Sequence, residues 1–577
     1  MVKIRKVEIC HFRGIECLLW YPRPGINCLV GPGDSGKSTV LDAIDLCLGA
    51  RRNVSFTDID FHQLNVDTPI TISVTVGDLD EGLKDLDAYG LYVGGFHAKD
   101  RRLEGEPGRD LETVLTIRLT VESDLEPSWA LVSERASELG QTRNLRWADR
   151  ARLAPTRIGA LAGYHLSWRR GSILNRVSSE RVETSGALAN AARRARVTFG
   201  DAVKGELEET LGIVKDTAQE LGVSIGESIM ATLDADSVSF SSGTISLHQD
   251  AGVPLRALGT GSTRLLIAGL HRKSAEESAI VLVDELEYGL EPQRIVRFLG
   301  SLDAKKSNSP LQVFMTTHSP VALRELSGNQ LLITRPGSTK HQLLAAGVSD
   351  PIQKALRLYP DAFLAKTIIA CEGASEVGFV RGIDLHRTGK GGIAIAAQGV
   401  ALVDCGGGSS DNPFERAKAF LSLGYRVAVF RDNDKEPTKG VESEFSDNGG
   451  RVFTWEKGNA LEDALFMSMS DEAVGKLLDR AVQIHGSELI DEHIKSASGN
   501  TLDLAGIRVE GLADGYSVAT RQCLSKAAQF KRKGWFKSVT WMEDVANDIV
   551  APNLAGAKSG FIAIVDAIFE WCGNARE

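Results

Sequence analysis

Two sets of residues in this chain have types and spacings that could do chemistry, and more than 300 positions separate them. The first is the glycine-rich run GPGDSGKST, from Gly31 to Thr39. Its glycines allow backbone N–H groups to point at phosphate oxygens. The second set is acidic, because ACEGASE (370–376) and FRDNDKE (430–436) each place at least two carboxylates after an apolar run. The first set predicts triphosphate binding, and the second predicts a divalent-metal site for phosphodiester chemistry.

The glycine run lies between a predicted strand over 27–30 and a predicted helix, which is the context that a phosphate loop requires. Lys37 would reach the β- and γ-phosphates of the nucleotide, and Ser38 would ligate Mg²⁺. The N-terminus of the helix would present its positive dipole end to the phosphates. We therefore expect these residues to bind ATP: Gly31, Gly33, Asp34, Ser35, Gly36, Lys37, Ser38 and Thr39.

Two later segments of the N-terminal half fit the same site. The apolar run over 280–283 predicts a buried strand, and it ends in Asp284 and Glu285. Asp284 can hold Mg²⁺ through water, and Glu285 can activate the attacking water as a catalytic base. A second apolar run precedes TTHSP (316–320), which places His318 near the γ-phosphate.

The acidic residues stand at the ends of predicted strands. Glu372 follows the apolar run over 367–370, and Glu376 comes four residues later at the start of a predicted helix. Asp432 and Asp434 follow the run over 426–430, and their spacing of two puts both side chains on one face. Strand ends of parallel α/β sheets are where such sheets place ligands. Since four carboxylates repel one another, we expect Mg²⁺ or Mn²⁺ to neutralise them.

Composition excludes some classes of protein. The net charge of −10 argues against a whole-surface DNA binder, so DNA contacts must come from local basic patches. The candidate patches are Arg193, Arg194 and Arg196, and Lys531 to Lys533 with Lys537. Eight scattered cysteines without a CxxC pair imply neither a zinc site nor a disulfide framework. We expect a cytoplasmic protein with no membrane span.

Hydrophobic periodicity predicts the supporting elements. Apolar and polar residues alternate over 70–76 and 115–121, which is typical of half-buried antiparallel strands. Apolar residues recur every three or four positions from Phe199 to Leu221, which predicts one amphipathic helix that needs a partner.

The order of the N-terminal motifs resembles the ABC-type ATPases of DNA maintenance, the SMC, Rad50 and RecF group. The glycine loop is followed by LGTGSTRLL (258–266), then VDELEYGLEP (283–292), then TTHSP. The resemblance implies that two heads sandwich ATP. Gly259, Gly261 and Ser262 take the place of the signature loop that caps the γ-phosphate of the partner head. Gln63 is the candidate for the glutamine of the Q-loop. The chain has no long coiled-coil insertion, which argues against a true SMC or Rad50 arm.

The C-terminal half resembles the Toprim domain. The matching elements are Glu372, the Asp432-x-Asp434 pair and the glycine-rich DCGGGS (404–409) between them. An ABC-type head followed by a Toprim domain resembles the OLD-family endonucleases, which include the nuclease subunit of the Gabija anti-phage system and retron-associated effectors. The resemblance implies a two-metal site in which Glu372 is also catalytic, with these ligands: Glu372, Glu376, Asp432, Asp434 and Glu462, with Asp463 as the rival of Glu462. It also implies a catalytic lysine, for which Lys537 is the first candidate and Lys533 the second.

The sequence thus predicts an α/β protein of two parts. An ABC-type ATPase domain over 1–350 carries a helical dimerisation insertion near 150–235, and a Toprim nuclease domain with a helical extension covers 360–577. The resemblance implies an ATP-regulated, Mg²⁺- or Mn²⁺-dependent DNA endonuclease in anti-phage defence. It implies a homodimer or homotetramer that works with a helicase, a reverse transcriptase and its RNA, or another defence partner.

Two alternatives remain open. One is a non-cutting DNA clamp or repair factor of the RecF type, against which the intact acidic residues argue. The other is a topoisomerase-like enzyme, for which Tyr516 is the nucleophile available in the C-terminal half beyond the acidic pair.

Overall fold

The structure is a computed structural model, and it describes residues 2–51, 54–159, 162–166, 172–174, 184–203, 205–220, 230–231, 247–250, 252–273, 279–306, 309–337, 340–513, 515–530 and 534–574. Its contacts divide the chain into two compact units. The N-terminal unit comprises Met1–Asn27 and Ser38–Thr317, and the C-terminal unit comprises Cys28–Lys37 and His318–Glu577. This division differs from the boundary predicted near residues 350–360, which follows the motifs. By contacts, most of the phosphate loop belongs with the acidic motifs.

The strands and helices alternate in the manner of a mixed α/β chain, which confirms the predicted fold class. The strands are β1 Lys3–Phe12, β2 Ile15–Trp20, β3 Gly25–Val30, β4 Ile70–Gly77, β5 Val93–His97, β6 Arg102–Glu104, β7 Glu112–Val121, β8 Pro127–Val132, β9 Thr156–Ile158, β10 Ile280–Val283, β11 Gln312–Thr316, β12 Leu331–Arg335, β13 Gln342–Ala345, β14 Thr367–Cys371, β15 Val400–Asp404, β16 Arg426–Arg431 and β17 Arg451–Thr454.

The helices concentrate in the C-terminal unit. They are α1 Lys37–Leu48, α2 Leu86–Tyr89, α3 Glu134–Glu138, α4 Trp147–Leu153, α5 Thr184–Val203, α6 Glu208–Glu220, α7 Thr260–Lys273, α8 Pro292–Ser301, α9 Pro320–Glu325, α10 Asp350–Leu358, α11 Ala374–Gly389, α12 Asn412–Leu421, α13 Val441–Asp447, α14 Leu461–Ser468, α15 Asp471–His485, α16 Ser487–Ser498, α17 Leu504–Ala513, α18 Val518–Ala528, α19 Val539–Val545 and α20 Ser559–Gly573.

The N-terminal unit contains a seven-stranded sheet in the order β2-β1-β4-β7-β5-β6, with β8 added to β7. The two strands predicted from alternation, β4 and β7, pair with each other antiparallel. β7 has the expected half-buried pattern, but β4 is covered on both faces because Ser73 and Thr75 are buried as well. The prediction of a half-buried strand is therefore wrong for β4.

A separate group of parallel strands positions the acidic pair of this unit. β10 pairs in parallel with β9 on one side and with β11 on the other. All four residues of β10 are buried, as the apolar run predicted. Because parallel strands end at the same edge, Asp284 after β10 and Thr316 at the end of β11 are neighbours.

The C-terminal unit contains a fully parallel four-stranded sheet in the order β15-β14-β16-β17. The register pairs Cys371 with Asp404 on one side and with Phe430 on the other. Residues directly after these strands therefore gather at one edge. In the same unit, β12 pairs in parallel with β3, which leads into the phosphate loop, and antiparallel with β13.

Helices cover this four-stranded sheet and bury an aromatic core. Trp455 stacks on Phe561 with ring centroids 5.1 Å apart, and the ring of Phe379 meets both edge-on. Helix α11 approaches α19 closely through Gly378 and Gly382. A Cβ atom on Gly378 would lie 2.9 Å from Cβ of Met542, and one on Gly382 would lie 2.6 Å from Cβ of Ala546.

The amphipathic helix predicted over 199–221 is two helices. Helix α5 ends at Val203 and α6 begins at Glu208, while Leu221 lies outside the described residues. Gly205 stands in the break, where its high backbone entropy disfavours a helix. Ile213 is 61% exposed, so the apolar face of α6 is not covered by the described residues of this chain. No helix in the described ranges is both long and apolar enough to cross a membrane.

Candidate nucleotide and metal sites

The phosphate loop is closed on its own lysine. Lys37 is 6% exposed, and its Nζ donates to the carbonyl oxygens of Gly31 and Pro32 at 3.1 and 2.6 Å and to Oγ of Ser35 at 3.2 Å. Gly31 and Gly36 have φ values of 149° and 81°, which favour glycine. Asp34 and Gly33 are exposed at the tip of the loop, and Thr39 lies in the first turn of α1. The ammonium group of Lys37 is therefore hydrogen-bonded to oxygen atoms of the loop itself, and it could exchange these partners for a phosphate.

Asp284 is the centre of a polar cluster in the N-terminal unit. Its Oδ1 accepts hydrogen bonds from Oγ of Ser38 at 2.9 Å and from Oγ1 of Thr316 at 2.8 Å. Its Oδ2 accepts from Nη2 of Arg157 at 3.3 Å. Ser38 and Asp284, which are both predicted to hold Mg²⁺, are therefore neighbours, and the guanidinium group of Arg157 adds a cation that the sequence did not indicate.

Glu285 stands next to this cluster in a strained backbone conformation, with φ of 47°. Its N–H donates to Oγ1 of Thr316 at 2.8 Å. Arg264, which is fully buried on α7, donates to the carbonyl oxygens of Asp284, Glu285 and Tyr288 at 3.0, 3.0 and 2.6 Å. Burial lowers the pKa of Arg264, although the nearby carboxylates oppose this effect. Arg264 thereby fixes the segment that carries the candidate base.

The remaining candidates of the N-terminal half have different surroundings. A Cβ atom on Gly261 would collide with the carbonyl oxygen of Gly289, so this glycine permits a close backbone contact within the unit. Oγ of Ser262 accepts a hydrogen bond from Nη1 of Arg294 at 3.0 Å. Gln63 has φ of 54° and lines a cavity of about 400 Å³ beside Arg13. The capping role of Gly261 and Ser262 stays a prediction.

His318 is exposed directly before the N-cap residue of α9, Ser319. Its predicted position near a γ-phosphate stays a prediction.

Three of the predicted metal ligands lie at one edge of the four-stranded sheet, and each accepts a hydrogen bond from a backbone N–H group. Glu372 follows β14, and its Oε2 accepts from the N–H of Asp432 at 3.0 Å. Glu376 lies in the first turn of α11, and its Oε2 accepts from the N–H of Gly373 at 2.8 Å. Oδ1 of Asp432 accepts from the N–H of Leu461 at 2.8 Å, at the start of α14. Each carboxylate thus has one oxygen atom fixed by the backbone.

Glu462 joins this group, whereas Asp463 does not. Glu462 is 3% exposed, and its Oε1 is buried without a hydrogen-bond partner among the described residues. Both oxygens of Asp463 are used elsewhere, because Oδ2 accepts from the N–H of Ala460 at 2.9 Å and Oδ1 accepts from the hydroxyl of Ser525. The structure therefore favours Glu462 as the ligand and gives Asp463 a capping role.

The electrostatics of the acidic cluster are those of charges that lack a counter-ion. Burial, with repulsion from Glu462 and Glu372, raises the pKa of Glu376 to about 8. Burial and the same neighbouring carboxylates hold the pKa of Asp432 well above its usual range. Burial also raises the pKa of Glu462, and the positive charge of Lys537 opposes that rise. The groups interact strongly enough that adding a cation would favour their ionised forms.

Asp434 and the glycine-rich run complete this edge. Asp434 is 37% exposed, and its Oδ2 lies 3.6 Å from Nζ of Lys435. Its charge contributes to the raised pKa of Glu372, for which burial is the largest cause. In DCGGGS, the N–H of Gly407 donates to the carbonyl oxygen of Glu372 at 2.7 Å. The glycine-rich run therefore holds the backbone of Glu372.

Lys537 is exposed, and its backbone is anchored by the two buried rings before it. Trp535 and Phe536 are both fully buried. The indole N–H of Trp535 donates to Nδ1 of His493 at 3.2 Å. The positive charge of Lys537 lowers the pKa of Glu462 against the effect of burial, so Lys537 acts electrostatically on the acidic cluster. The rival Lys533 and the basic run over 531–533 lie outside the described residues.

The fit of this cluster to divalent metal rests on its chemistry. It offers carboxylate oxygens, which Mg²⁺ and Mn²⁺ prefer. It also contains carboxyl groups whose ionisation is suppressed, and the buried Oε1 of Glu462, which has no hydrogen-bond partner in the part of the chain that the structure describes. Among the described residues, no group of three or more His, Cys, Asp or Glu side chains converges into a ready-made metal cage. The donor set fits, and the side chains would have to close by rotation around an ion.

Sequence reasoning missed three arginines that organise these sites. Arg157 binds Asp284, and Arg264 binds the backbone around it. Arg431 is 4% exposed and donates to the carbonyl oxygens of Asp432 and Lys435 at 2.6 and 3.2 Å, so it fixes the turn that carries the acidic pair. No spacing rule identifies them, because their partners are set by the tertiary structure.

Comparison with known proteins tests the predicted family. Residues 26–324, just over half of the chain, match the family described as "AAA domain, putative AbiEii toxin, Type IV TA system". The chain belongs to this family of AAA domains. The predicted nucleotide-binding ATPase domain is confirmed at this level.

Two curated relatives extend the comparison. An OLD nuclease of Thermus scotoductus is 25% identical over 340 residues, which are 55% of this chain and 59% of that nuclease. The DNA replication and repair protein RecF of Moorella thermoacetica is 36% identical over 50 residues, which are 9% of this chain and 14% of that protein. The chain therefore spans less than two thirds of either relative. The predicted resemblance to the OLD nucleases is confirmed.

Solved structures of SMC heads are also similar in part. An SMC head bound to the winged-helix domain of ScpA covers 59% of this chain and 97% of its own, with 17% identity and a TM-score of 0.31. The Pyrococcus furiosus SMC head with an extended coiled coil covers 60% and 96%, with 14% identity and a TM-score of 0.34. At these scores the likeness carries no argument about function.

Proposed function

We propose that this chain is an ATP-regulated, divalent-metal-dependent DNA endonuclease whose C-terminal unit is a Toprim nuclease domain. The observation that carries the proposal is the acidic cluster at one edge of the four-stranded parallel sheet, in which the buried Oε1 of Glu462 has no hydrogen-bond partner among the described residues. A buried carboxylate oxygen without a donor is costly, and a cation would remove that cost. The match to a protein named OLD nuclease supports the same reading.

In this proposal the acidic residues hold metal and the backbone holds them. Two bound divalent ions would supply an activated water and would neutralise charge on the leaving oxygen. Glu372, Glu376 and Asp432 each keep one oxygen on a backbone N–H, which leaves the other oxygen for a ligand. Glu462 and Asp434 would complete the set. Lys537 would meet a non-bridging phosphate oxygen, whose negative charge increases as the phosphodiester breaks.

The nucleotide part of the proposal uses the phosphate loop and the Asp284 cluster. Binding of a triphosphate would draw Lys37 from the loop carbonyls, and Mg²⁺ would be held by Ser38 with Asp284 behind it. Glu285, on its strained backbone, would activate the attacking water. Membership of the AAA family supports nucleotide binding, and the control of DNA cleavage by nucleotide is our proposal.

The biological setting follows from the resemblance. We propose a role in anti-phage defence, as a homodimer or homotetramer that acts in the cytoplasm on DNA with a helicase, a reverse transcriptase or another defence partner. The apolar face of α6, where Ile213 is 61% exposed and the described residues provide no cover, supports self-association.

Cleavage of supercoiled plasmid tests the proposal. Full-length protein is incubated with Mn²⁺, with Mg²⁺ or with EDTA, each with and without ATP, and nicked and linear products are measured. We expect cleavage with either metal, none with EDTA, and a rate that depends on ATP. Full DNA cleavage in EDTA, or none in either metal with and without ATP, would refute the proposal.

The second candidate is a non-cutting clamp of the RecF type, and the match to RecF over 50 residues favours it. The same experiment separates the two. ATP-dependent DNA binding in a gel-shift assay without any cleavage would support the clamp.

A further inference from the structure

The phosphate loop and the acidic cluster belong to one compact unit, although most of the N-terminal unit separates them in the sequence. Strand β3, which leads into the loop, lies beside β12, with Val30 opposite Ile333. A Cβ atom on Gly31 would lie 3.0 Å from the carbonyl oxygen of Thr334. The first residue of the loop is therefore in direct contact with the end of β12.

Nucleotide binding can disturb this contact through Lys37. Lys37 donates to the carbonyl oxygens of Gly31 and Pro32 and to Oγ of Ser35. An ammonium group has three N–H donors, so it can bind a phosphate only by giving up at least one of these bonds. Thr334, the neighbour of Gly31, is 1% exposed, and its Oγ1 is buried without a hydrogen-bond partner among the described residues. A buried hydroxyl without a partner is stabilised by any change of conformation that gives it a hydrogen-bond partner.

Arg335, the next residue, contacts the turn before β16, which comprises Leu423 to Tyr425. Its guanidinium carbon lies 3.8 Å from the ring centroid of Tyr425, and its Nε donates to the carbonyl oxygen of Leu423 at 3.3 Å. Gly424, between them, has φ of 72°, and a Cβ atom there would lie 3.6 Å from Nε of Arg335. The hydroxyl of Tyr425 donates to the carbonyl oxygen of Phe363 at 2.7 Å. A movement of Arg335 would therefore act on this turn, in which Leu423 and Tyr425 are buried.

The turn and the acidic pair stand at opposite ends of one strand. β16 begins at Arg426, directly after Tyr425, and ends at Arg431, directly before Asp432. Its six residues span about 20 Å, and they pair with β14, the strand that ends before Glu372. A displacement of the turn along the strand would therefore change the position of Asp432 relative to Glu372.

We infer that Arg335 is a positioning residue that couples nucleotide binding at the phosphate loop to the geometry of the acidic cluster. The route runs from Gly31 through Thr334 and Arg335 to Tyr425 and β16. This inference rests on the proposed function. It assigns the regulation of cleavage to one side chain that belongs to neither of the two proposed sites.

The test compares the effect of nucleotide on cleavage in wild type and in Arg335→Ala, with full-length protein, Mn²⁺ and supercoiled plasmid. A non-hydrolysable ATP analogue is used, so that binding and hydrolysis are kept apart. In wild type we expect the analogue to change the cleavage rate by about fivefold or more, in either direction. In Arg335→Ala we expect that ratio to fall to within about 1.5-fold of unity, while analogue affinity and nucleotide-free cleavage stay within about threefold of wild type.

Further variants guard against a merely structural effect. Tyr425→Leu removes the ring under Arg335 and should abolish the nucleotide effect in the same way, while Tyr425→Phe should keep it because the ring remains. Arg335→Gln, which keeps most of the volume, replaces Arg335→Ala if the latter does not fold. Arg387→Ala is the matched control, because Arg387 also stacks on a ring of this unit, that of Phe569 at 4.5 Å, away from the phosphate loop.

The outcomes separate the coupling from the proposed function. A wild type that cuts no DNA with Mn²⁺ overturns both. A wild type that cuts DNA but does not respond to the analogue overturns the coupling alone. A normal nucleotide response in Arg335→Ala and in Tyr425→Leu also overturns the coupling alone. Loss of the response in both variants, with Arg387→Ala like wild type, supports it.

Discussion

The Asp284 cluster and the acidic cluster solve the problem of negative charge in opposite ways. Both oxygens of Asp284 are occupied by donors of the protein itself, namely Ser38, Thr316 and the guanidinium group of Arg157. In the acidic cluster the carboxylates accept single backbone hydrogen bonds, and Glu462 keeps a buried oxygen without a partner among the described residues. Among the described residues, Arg157 supplies a cation to the first cluster, whereas the second contains more carboxylates than cationic partners.

The two clusters therefore differ in how much a bound metal ion would contribute to their stability, as well as to their chemistry. A carboxylate that is already paired gains little from an added cation, because the new ion must displace existing hydrogen bonds. A buried group whose ionisation is suppressed gains much more. We therefore expect divalent metal to stabilise the C-terminal unit strongly and the nucleotide site mainly when a triphosphate is present.

The largest expected effect comes from removing a ligand of the acidic cluster. Asp432→Asn should lower the rate of metal-dependent plasmid cleavage by about a thousandfold, since several kcal/mol of charge stabilisation are lost. ATP hydrolysis should stay within about twofold of wild type, because the catalytic groups for hydrolysis are elsewhere. Asp447→Asn, at an exposed carboxylate of α13, is the matched control. Normal cleavage by Asp432→Asn would remove the distinction between the clusters.

The next effect concerns the phosphate loop. Lys37→Ala should weaken ATP binding by about 10- to 100-fold, because a charge-assisted contact to phosphate is worth about 1.5–3 kcal/mol. Nucleotide-free DNA cleavage should persist. Glu285→Gln is the control, since it should bind ATP normally and hydrolyse it slowly. Isothermal titration with ATP measures both variants, and equal affinity in Lys37→Ala and wild type would contradict the phosphate-loop assignment.

Lys537→Ala should reduce single-turnover cleavage at saturating DNA by about tenfold, since its charge acts on the transition state more than on binding. If Lys537 only attracts DNA, saturation restores the rate of the variant. The matched control is Lys526→Ala, in the last turn of α18. A restored rate would give Lys537 the role of a binding residue.

The pH dependence of stability gives a smaller signal. The pKa of Glu376 is about 8 in the folded protein and about 4.5 ordinarily, so the folded state holds the proton more tightly. Its stabilising contribution is full below pH 4.5 and is lost as pH rises through 8. We expect the melting temperature of metal-free protein to fall by a few degrees between pH 5 and 8.5. Glu376→Gln should flatten this fall, and saturating Mn²⁺ should reduce it. A melting temperature that rises over this range would contradict the assignment.

The smallest effect distinguishes the two neighbours on α14. Asp463→Ala should cost about 1 kcal/mol of folding stability, because the N–H of Ala460 and the hydroxyl of Ser525 lose their acceptor. Its cleavage rate should stay within about twofold of wild type, whereas Glu462→Gln should lose most activity. Urea unfolding and plasmid cleavage measure both. The reverse pattern would make Asp463 the ligand.

The sequence predicts this molecule well wherever a local pattern decides the structure. The apolar run before Asp284 predicts β10 to the residue, and the runs before Glu372 and Asp432 predict two parallel strands within one residue at each end. These strands are short, apolar and followed by polar residues, so the apolar runs alone identify them in the sequence. The acidic cluster follows directly, because parallel strands end at a common edge.

Local pattern fails where distant residues decide. Arg157 lies 127 positions from Asp284, and nothing in its own neighbourhood indicates that partner. The burial of Ser73 on β4 depends on what covers the second face of the sheet. The break between α5 and α6 depends on the competition between a continuous apolar period and the backbone entropy of Gly205.

Two glycines without side chains set a distance that the proposed reaction needs. Gly378 and Gly382 let α11, which carries Glu376, lie directly against α19, which begins two residues after Lys537. A single methyl group at Gly378 would collide with Met542 and the backbone of α19. It would push α11 away from α19, and this movement would separate Glu376 from Lys537. We expect a random mutagenesis screen for lost DNA cleavage to recover alanine at these two positions alongside changes to the acidic residues themselves. Tolerance to substitution on this face of α11 would then report the spacing of the site and not its chemistry.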